Sequence, residues 1–541
     1  MTTHPSEGGN ALVSGRLIHP AWQAFSRVSE SRAGLPLVFF FSVVLIGTLF
    51  IVRWESDLNF DGEVFLSAAQ KFEQGRFREG LSIYPLPLYP GLIALLYPLI
   101  SDWVIAGRLI CYVFMTLTVV PLYLLTRDIF DPQGAFFACI VFALLPETQL
   151  MSVSVLRDPG FFHFLMWAMV FGNKALQSRK TKHLLGAALL AFAAMLFRLE
   201  GAIIYPLYLG LLLVLVWSPG GGRREYARLF RAWAILLACL AITYLSVFGL
   251  QNGLAEKYSV FANQSGDLLS FQNYHRIAEQ LQQIKDAAPR SDIGKHFGDL
   301  ATQLIIPIYL FGTFQVFFSV IQAVNVPALV VGLSRFRLTA SQAFLALSGA
   351  TSLALMFGYF VWHDFVLQRY MFLAALLFCP WIGLGVTRIL GFLSKMPKGQ
   401  LFCAGFILFL ALGSVAGFGK YFWKMEDLKS KAGSWVADQA EFAECKILFN
   451  DPVVAFYSGR EISFGGDGEI LVYRDVDDRR FSKIESAALQ AHADLIVVYL
   501  KAERQTSLHQ LQHYFMLKEI EGRDRKVLIY GLRERFPAPK N

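Results

Sequence analysis

Apolar runs of about 20 residues recur from Leu35 to about Phe418, and each is long enough to cross ~30 Å of hydrocarbon. A chain patterned in this way has little choice of fold, because backbone polar groups in lipid must be satisfied within the segment, as a helix does. Hydrophobic residues make up 55% of the 541 positions and charged ones only 17%. A soluble chain of this size needs more charge to cover its surface. The sequence therefore reads as a mostly α, polytopic membrane helical bundle.

The charge balance supports the same reading. The formal net charge is +8, but the basic residues sit in short loops between apolar runs, where they encode topology rather than nucleic-acid binding. Cys111, Cys139, Cys239, Cys379 and Cys403 lie in apolar runs and only Cys445 in polar sequence, so no disulfide framework or cysteine-based metal site is indicated. Arg16, Arg27 and Arg32 precede the first run and no small-residue cleavage site follows it, which describes a retained signal anchor with residues 1–34 in the cytoplasm.

Residues 35–420 then form a transmembrane domain of about eleven helices. These are expected near 35–52, 103–126, 134–150, 159–173, 184–197, 202–217, 232–250, 315–334, 342–361, 365–387 and 401–419. "PLPLYPGLIALLYPLI" (Pro85 to Ile100) is short and proline-rich, so it reads as a re-entrant or interfacial helix. With it excluded, the basic loops at 173–183, 221–231, 334–337 and 388–398 all fall inside. Outer loops are expected at 53–102 and 251–314, the latter ending in an interfacial helix near 302–314. Residues 421–541 carry short β-type runs, "KILFN", "ADLIVVYL" and "KVLIYGL", and read as a small extracytoplasmic α/β domain.

In this topology four charged stretches share the outer side: "NFDGEVF" (Asp61, Glu63), "RDPG" (Arg157, Asp158), "FRLEG" (Arg198, Glu200) and "WHDFVLQRY" (His363, Asp364, Arg369, Tyr370). Ionisable groups near membrane depth are costly, and several on one side point to function. Each also has a plain structural reading. Asp61 or Glu63 can be a solvated loop acid, Asp158-Pro159 a helix start, Arg198 with Glu200 a local ion pair, and Arg369 a snorkelling side chain. Phosphate-loop, zinc-protease and serine-hydrolase motifs are missing from the sequence, and the glycines of "SPGGGRREY" follow no strand.

The ordered set "FDGEVFLSAAQKFEQG", "YPLPLYPGLIALLYPLI", "AGRLICYVFMTLTVVPLYLLTRDIF", "LLPETQLMSVSVLRDPGFF", "RLEGAIIYP" and "QRYMFLAALLFCPWIGLG" resembles the GT-C superfamily of polytopic glycosyltransferases. Within it, the pattern resembles the branch related to protein O-mannosyltransferases and lipid A aminoarabinose transferases. The resemblance covers roughly residues 35–420. It implies a polyprenyl-phosphate sugar donor, a cell-surface glycan, lipid or protein as acceptor, and inverting transfer at the outer membrane face. By motif, it makes Asp61 the general base and matches Asp158 to the second outer-loop acid of the catalytic site, which positions the acceptor or orients the surroundings of Asp61. It puts Arg369, then Arg157 and Arg198, on the leaving phosphate, with Glu63, Glu200, His363, Asp364 and Tyr370 as further donor or substrate contacts. No cofactor is implied; two acids are able to hold a divalent ion, but the branch usually works without one. There are departures too. Val64 stands where the aminoarabinose transferases carry an arginine, and Ile83-Tyr84-Pro85 stands where they carry a lysine before "PPLY". Both point away from lipid A aminoarabinose transfer. The rival reading is a secondary transporter or lipid flippase of the cell envelope, which would be expected to show internal repeats and broken mid-span helices.

Overall fold

The computed structural model describes residues 29, 31, 33–53, 57–217, 222–249, 272–287, 292–363, 365–422, 427–459, 470–472, 481–501 and 511–536. Most of the expected cytoplasmic tail, residues 251–271 and 288–291 of the outer loop expected at 251–314, and Asp364 lie outside the described residues. The helices are α1 (Gly34–Arg53), α2 (Phe60–Glu73), α3 (Phe77–Ile83), α4 (Leu88–Ile100), α5 (Trp103–Ile129), α6 (Pro132–Leu144), α7 (Pro146–Ser152), α8 (Asp158–Ser178), α9 (Thr181–Met195) and α10 (Ile204–Trp217). There follow α11 (Arg223–Gly249), α12 (Gln272–Ala287), α13 (Asp292–Ile321), α14 (Val326–Leu333), α15 (Ala340–His363), α16 (Gln368–Leu393) and α17 (Gly399–Phe422). The C-terminal part contains α18 (Leu428–Asp438), β1 (Ile447–Phe449), α19 (Pro452–Tyr457), β2 (Ile470–Val472), α20 (Phe481–Gln490), β3 (Leu495–Lys501), β4 (Tyr514–Glu521) and β5 (Arg525–Leu532).

Among the described residues six helices are long and apolar enough to cross a membrane, or seven if the bent pair α6 and α7 counts as one span. The chain is an integral membrane protein, mostly helical with a small C-terminal sheet. Two elements differ from the sequence expectation. The run at 134–150 bends by 63° between α6 and α7, at Leu145-Pro146, where proline restricts the residue before it and lacks the donor a continuous helix needs. The expected interfacial helix at 302–314 and the first part of the expected span at 315–334 are instead one helix, α13, with an apolar span from Gln303 to Ile321; a break and α14 take up the rest. Gln322 makes that break with φ of +64°. Asn325 Nδ2 then donates to the Ile321 carbonyl at 2.8 Å, and Ser414 Oγ donates to Gln322 Oε1 at 3.2 Å.

The chain folds as two compact units. The first comprises Met1–Gly47, Phe114–Gln149 and Phe161–Phe418. Its centre is α16, whose apolar window is 89% buried. Backbones meet there without side chains between them: a Cβ on Gly385 would lie 1.7 Å from the Ala328 carbonyl oxygen of α14, and one on Gly383 would lie 2.2 Å from that of Gly134 in α6. Small residues permit such close helix packing in membranes, where dispersion contacts replace the hydrophobic drive.

The second unit comprises Thr48–Val113, Leu150–Gly160 and Gly419–Asn541. Its sheet has the order β2-β1-β3-β5-β4. β1 pairs in parallel with β2 and β3, while β5 runs antiparallel to both β3 and β4, with a register shift between Met516 and Lys518. Period-two alternation sorts the strand residues to two faces. Ile447, Phe449, Leu495, Val497, Val527 and Ile529 share a core with Leu428, Ala432 and Val436 of α18. Ile496, Val498, Leu528 and Tyr530 share the other with Ile484 and Ala488 of α20. Helices on both faces explain why β3 reads as a continuous apolar run.

Candidate active site

The sequence candidates divide between the two units. In the second, Asn59 lies immediately before α2 and binds Val155 at both ends of its amide: Asn59 Nδ2 donates to the Val155 carbonyl at 3.1 Å, and the Val155 N–H donates to Asn59 Oδ1 at 2.9 Å. This two-point contact brings the Asp61-Glu63 turn and the Arg157-Asp158 segment together. Gly62 lets them approach, because a Cβ there would lie 2.7 Å from Leu58 Cδ1 and 3.0 Å from Val155 Cβ. The two acids then separate. Residues two apart on a helix point in nearly opposite directions. Glu63 is fully buried and accepts a 2.9 Å hydrogen bond from Ser67 Oγ, one turn on. Asp61 is only partly buried.

Asp158 opens α8 and is 2% exposed, a favourable place for a carboxylate because the first-turn N–H groups give that end a positive potential. Arg157 donates to the Tyr84 hydroxyl and lies 5.5 Å from the Tyr84 ring centroid. Tyr84 stands edge-on to Phe65, and Phe65 to Tyr89. Beneath them the Tyr89 hydroxyl lies 3.2 Å from the Gly107 carbonyl oxygen and from Cys111 Sγ. Cys111 Sγ donates to the Leu156 carbonyl at 2.9 Å. A buried polar chain thus supports the segment that carries Arg157 and Asp158.

In the first unit, Arg198 lies in extended backbone between α9 and a 3-10 turn at Leu199–Ile203. It pairs with Glu200, and its guanidinium sits 5.2 Å from the Tyr370 ring centroid and 5.9 Å from that of Phe161. Arg369 covers the same Tyr370 ring at 4.9 Å and donates to its hydroxyl from Nη2 at 3.0 Å. Both residues of this pair belong to the first turn of α16, whose N-cap residue Leu367 supplies no side-chain acceptor. Tyr359 packs on Tyr370 and on His363, and His363 also on Trp362. Two guanidinium groups thus meet on one ring, beside a helix N-terminus. The chemical complement is an anion such as a phosphate.

Several residues of this neighbourhood were not singled out by sequence reasoning. Tyr84 carries the contact to Arg157. Arg108, in the apolar run of α5, is 3% exposed and donates to the Asp57 carbonyl at 3.3 Å. Asp57 accepts from the backbone N–H groups of Lys429 and Ser430, at 2.9 Å each. Burial pushes its carboxyl above the ordinary range, against the lowering effect of those two donors. Among the described residues no group of three or more His, Cys, Asp or Glu is placed to hold a metal ion.

Comparison with solved structures defines the class of this architecture. The archaeal oligosaccharyltransferase AglB from Archaeoglobus fulgidus, solved with an inhibitory peptide and a dolichol-phosphate, superposes with a TM-score of 0.56 at 12% identity, covering 86% of this chain and 69% of that one. ArnT from Cupriavidus metallidurans, bound to undecaprenyl phosphate, superposes with a TM-score of 0.55 at 11% identity, covering 94% of this chain and 100% of that one. The chain has the GT-C glycosyltransferase fold. Residues 85–248 also match the model of the family described as Dolichyl-phosphate-mannose-protein mannosyltransferase, consistent with the mannosyltransferase and ArnT-like branch read from the motifs. No curated protein sequence matches the chain.

Proposed function

We propose that this protein is a membrane glycosyltransferase that moves a hexosyl or pentosyl group from a polyprenyl-phosphate-linked donor to a cell-envelope glycan, lipid or protein. The observation that carries the reading is the pair Arg198 and Arg369 on the Tyr370 ring, a fixed cationic locus suited to a phosphate, within a GT-C fold. The protein sits in the plasma (inner) membrane with about eleven spans, its N-terminus cytoplasmic and residues 421–541 extracytoplasmic. Lipid-linked donors suit that side, because the activated leaving group arrives through the bilayer.

In this reading the acceptor hydroxyl attacks the anomeric carbon from the face opposite the phosphate. Its proton passes to the Asp61 carboxylate, the new C–O bond forms as the bond to phosphate oxygen breaks, and polyprenyl phosphate leaves with inversion at the sugar. A positioned base contributes typically about 10²–10⁴-fold. Arginine donors aimed at the departing phosphate stabilise charge that grows only as the bond breaks. Arg198 and Arg369 take that role with Glu200, His363 and Tyr370 around them. Arg157 is a further donor to the leaving phosphate, Asp158 orients the acceptor side, and Glu63 holds the α2 turn from within. Mass spectrometry of envelope glycolipids and glycans from cells carrying Asp61→Asn tests the base assignment. The transferred sugar is expected to fall by about 10² or more, and full retention of the product rejects Asp61 as the base.

A further inference from the structure

Three consecutive residues ahead of Asp61 are each bound to a partner far away in the chain. The Asp57 carboxylate accepts the N–H of Lys429 on Oδ2 and that of Ser430 on Oδ1, both at 2.9 Å. The Leu58 N–H donates to the Tyr457 hydroxyl at 3.1 Å. Asn59 is clamped to Val155. The Asp57 carbonyl is itself held by Arg108.

The partners of Asp57 and Leu58 belong to one closely packed pair of helices. α18 begins after Asp427, whose side chain makes no capping hydrogen bond. Asp57 supplies the missing cap from 372 residues away, one oxygen per orphan N–H, at the positive end of the helix. α19 is capped by Asp451, which accepts from Val453 and Val454 and also pairs with Lys429 at 2.7 Å. The two helices touch closely at Gly433, where a Cβ would lie 2.4 Å from Tyr457 Cβ. Burial pushes the Tyr457 hydroxyl up to about 12, so it stays protonated while it accepts from Leu58.

We propose that the C-terminal α/β part is a positioning element for the acid-bearing turn, acting through Asp57 and Tyr457. Asp61 is the second residue of α2, so the direction of its carboxylate follows from where that helix starts. Asn59 cannot cap α2 with its side chain because its amide is engaged by Val155. The start of α2 is therefore fixed by contacts from outside the helix, and two of them come from α18 and α19. The inference rests on the reading of Asp61 as the base.

The test uses the full-length protein in lipid nanodiscs, with Tyr457→Phe, Asp57→Asn, Asp57→Leu and the Asp57→Leu/Tyr457→Phe double variant. Amide hydrogen exchange is followed at residues 58–66 and in β3 and β5, and transferred sugar is measured in cells by mass spectrometry. The double variant is expected to speed exchange across 58–66 by at least tenfold, leave β3 and β5 protected, and lower product by about ten- to a hundredfold, the scale of a misplaced reacting group. Asp57→Asn keeps an acceptor oxygen and is expected to retain more product than Asp57→Leu, a grading that loss of folded protein alone would not give. Tyr457→Phe removes a single oxygen and is expected to release the Leu58 amide without disturbing the sheet. Unchanged exchange at 58–66 in the double variant, or unchanged product, overturns the proposal. Asp61→Asn separates the two readings: if it retains product the base assignment fails, while the exchange data still decide whether Asp57 and Tyr457 hold the turn.

Discussion

Asn59 shows how much of the site depends on single polar contacts. Both the N–H and the C=O of Val155, a fully buried residue, are satisfied by this one side chain. Asn59→Ala leaves both groups without that partner and is expected to lower stability by about 1–3 kcal/mol, the desolvation cost of an unmet buried group. Asn59→Asp keeps the acceptor and is expected to fall between. Thermal unfolding in detergent measures the series, and an unchanged midpoint for Asn59→Ala would remove the clamp from the account. This role is not legible in the sequence, because asparagine ahead of a helix reads as an N-cap, and here no capping hydrogen bond is made. Asp61 and Glu63 were legible as a pair. Their different settings follow from helical period once α2 is known to start at Phe60. Arg108 was hidden by the apolar run around it, and Tyr84 drew notice only as a departure from a relative's lysine.

At the scale of elements, α4 is the piece whose membrane placement most affects topology. Its 13 residues extend for only about 20 Å, short of the ~30 Å needed to cross. Both of its ends should therefore lie on one side of the bilayer. Cysteines introduced singly at Gln74 and Ser101, both exposed, are expected to react with a membrane-impermeant maleimide from the same side, with the unsubstituted protein as blank. Labelling of the two from opposite sides would make α4 a span and invert every basic loop that follows. Proline content and shortness mark α4 in the sequence as a short apolar helix, and Leu88–Ile100 is one. Proline also marked the 63° bend between α6 and α7, since Pro146 lies inside the run first read as one helix. The break at Gln322 carried no such mark. It depends on a left-handed residue fixed by Asn325 and Ser414, and a hydropathy window passes through it unchanged.

For the whole molecule, hydropathy and the order of motifs were enough to reach a GT-C fold, although the solved relatives share only 11–12% identity with the chain. Side-chain chemistry sets what that fold binds, and the locus around Tyr370 makes a prediction that needs no knowledge of the sugar. If Arg198 and Arg369 receive the donor phosphate, the lipid phosphate alone should stabilise the folded protein. A ligand present at a hundred times its dissociation constant adds about 2.7 kcal/mol, enough to raise the unfolding midpoint measurably. Undecaprenyl phosphate in mixed micelles is expected to raise it for the wild type and for Asp61→Asn, since the proposed role of the Asp61 carboxylate is on the acceptor. The Arg198→Ala/Arg369→Ala variant should lose most of the shift. Arg369→Lys should recover only part, because lysine keeps the charge but not the planar fork that grips a phosphate while stacking on an aromatic ring. An equal shift in the double variant would place the phosphate elsewhere, and a shift lost in Asp61→Asn would move that aspartate from the acceptor to the donor.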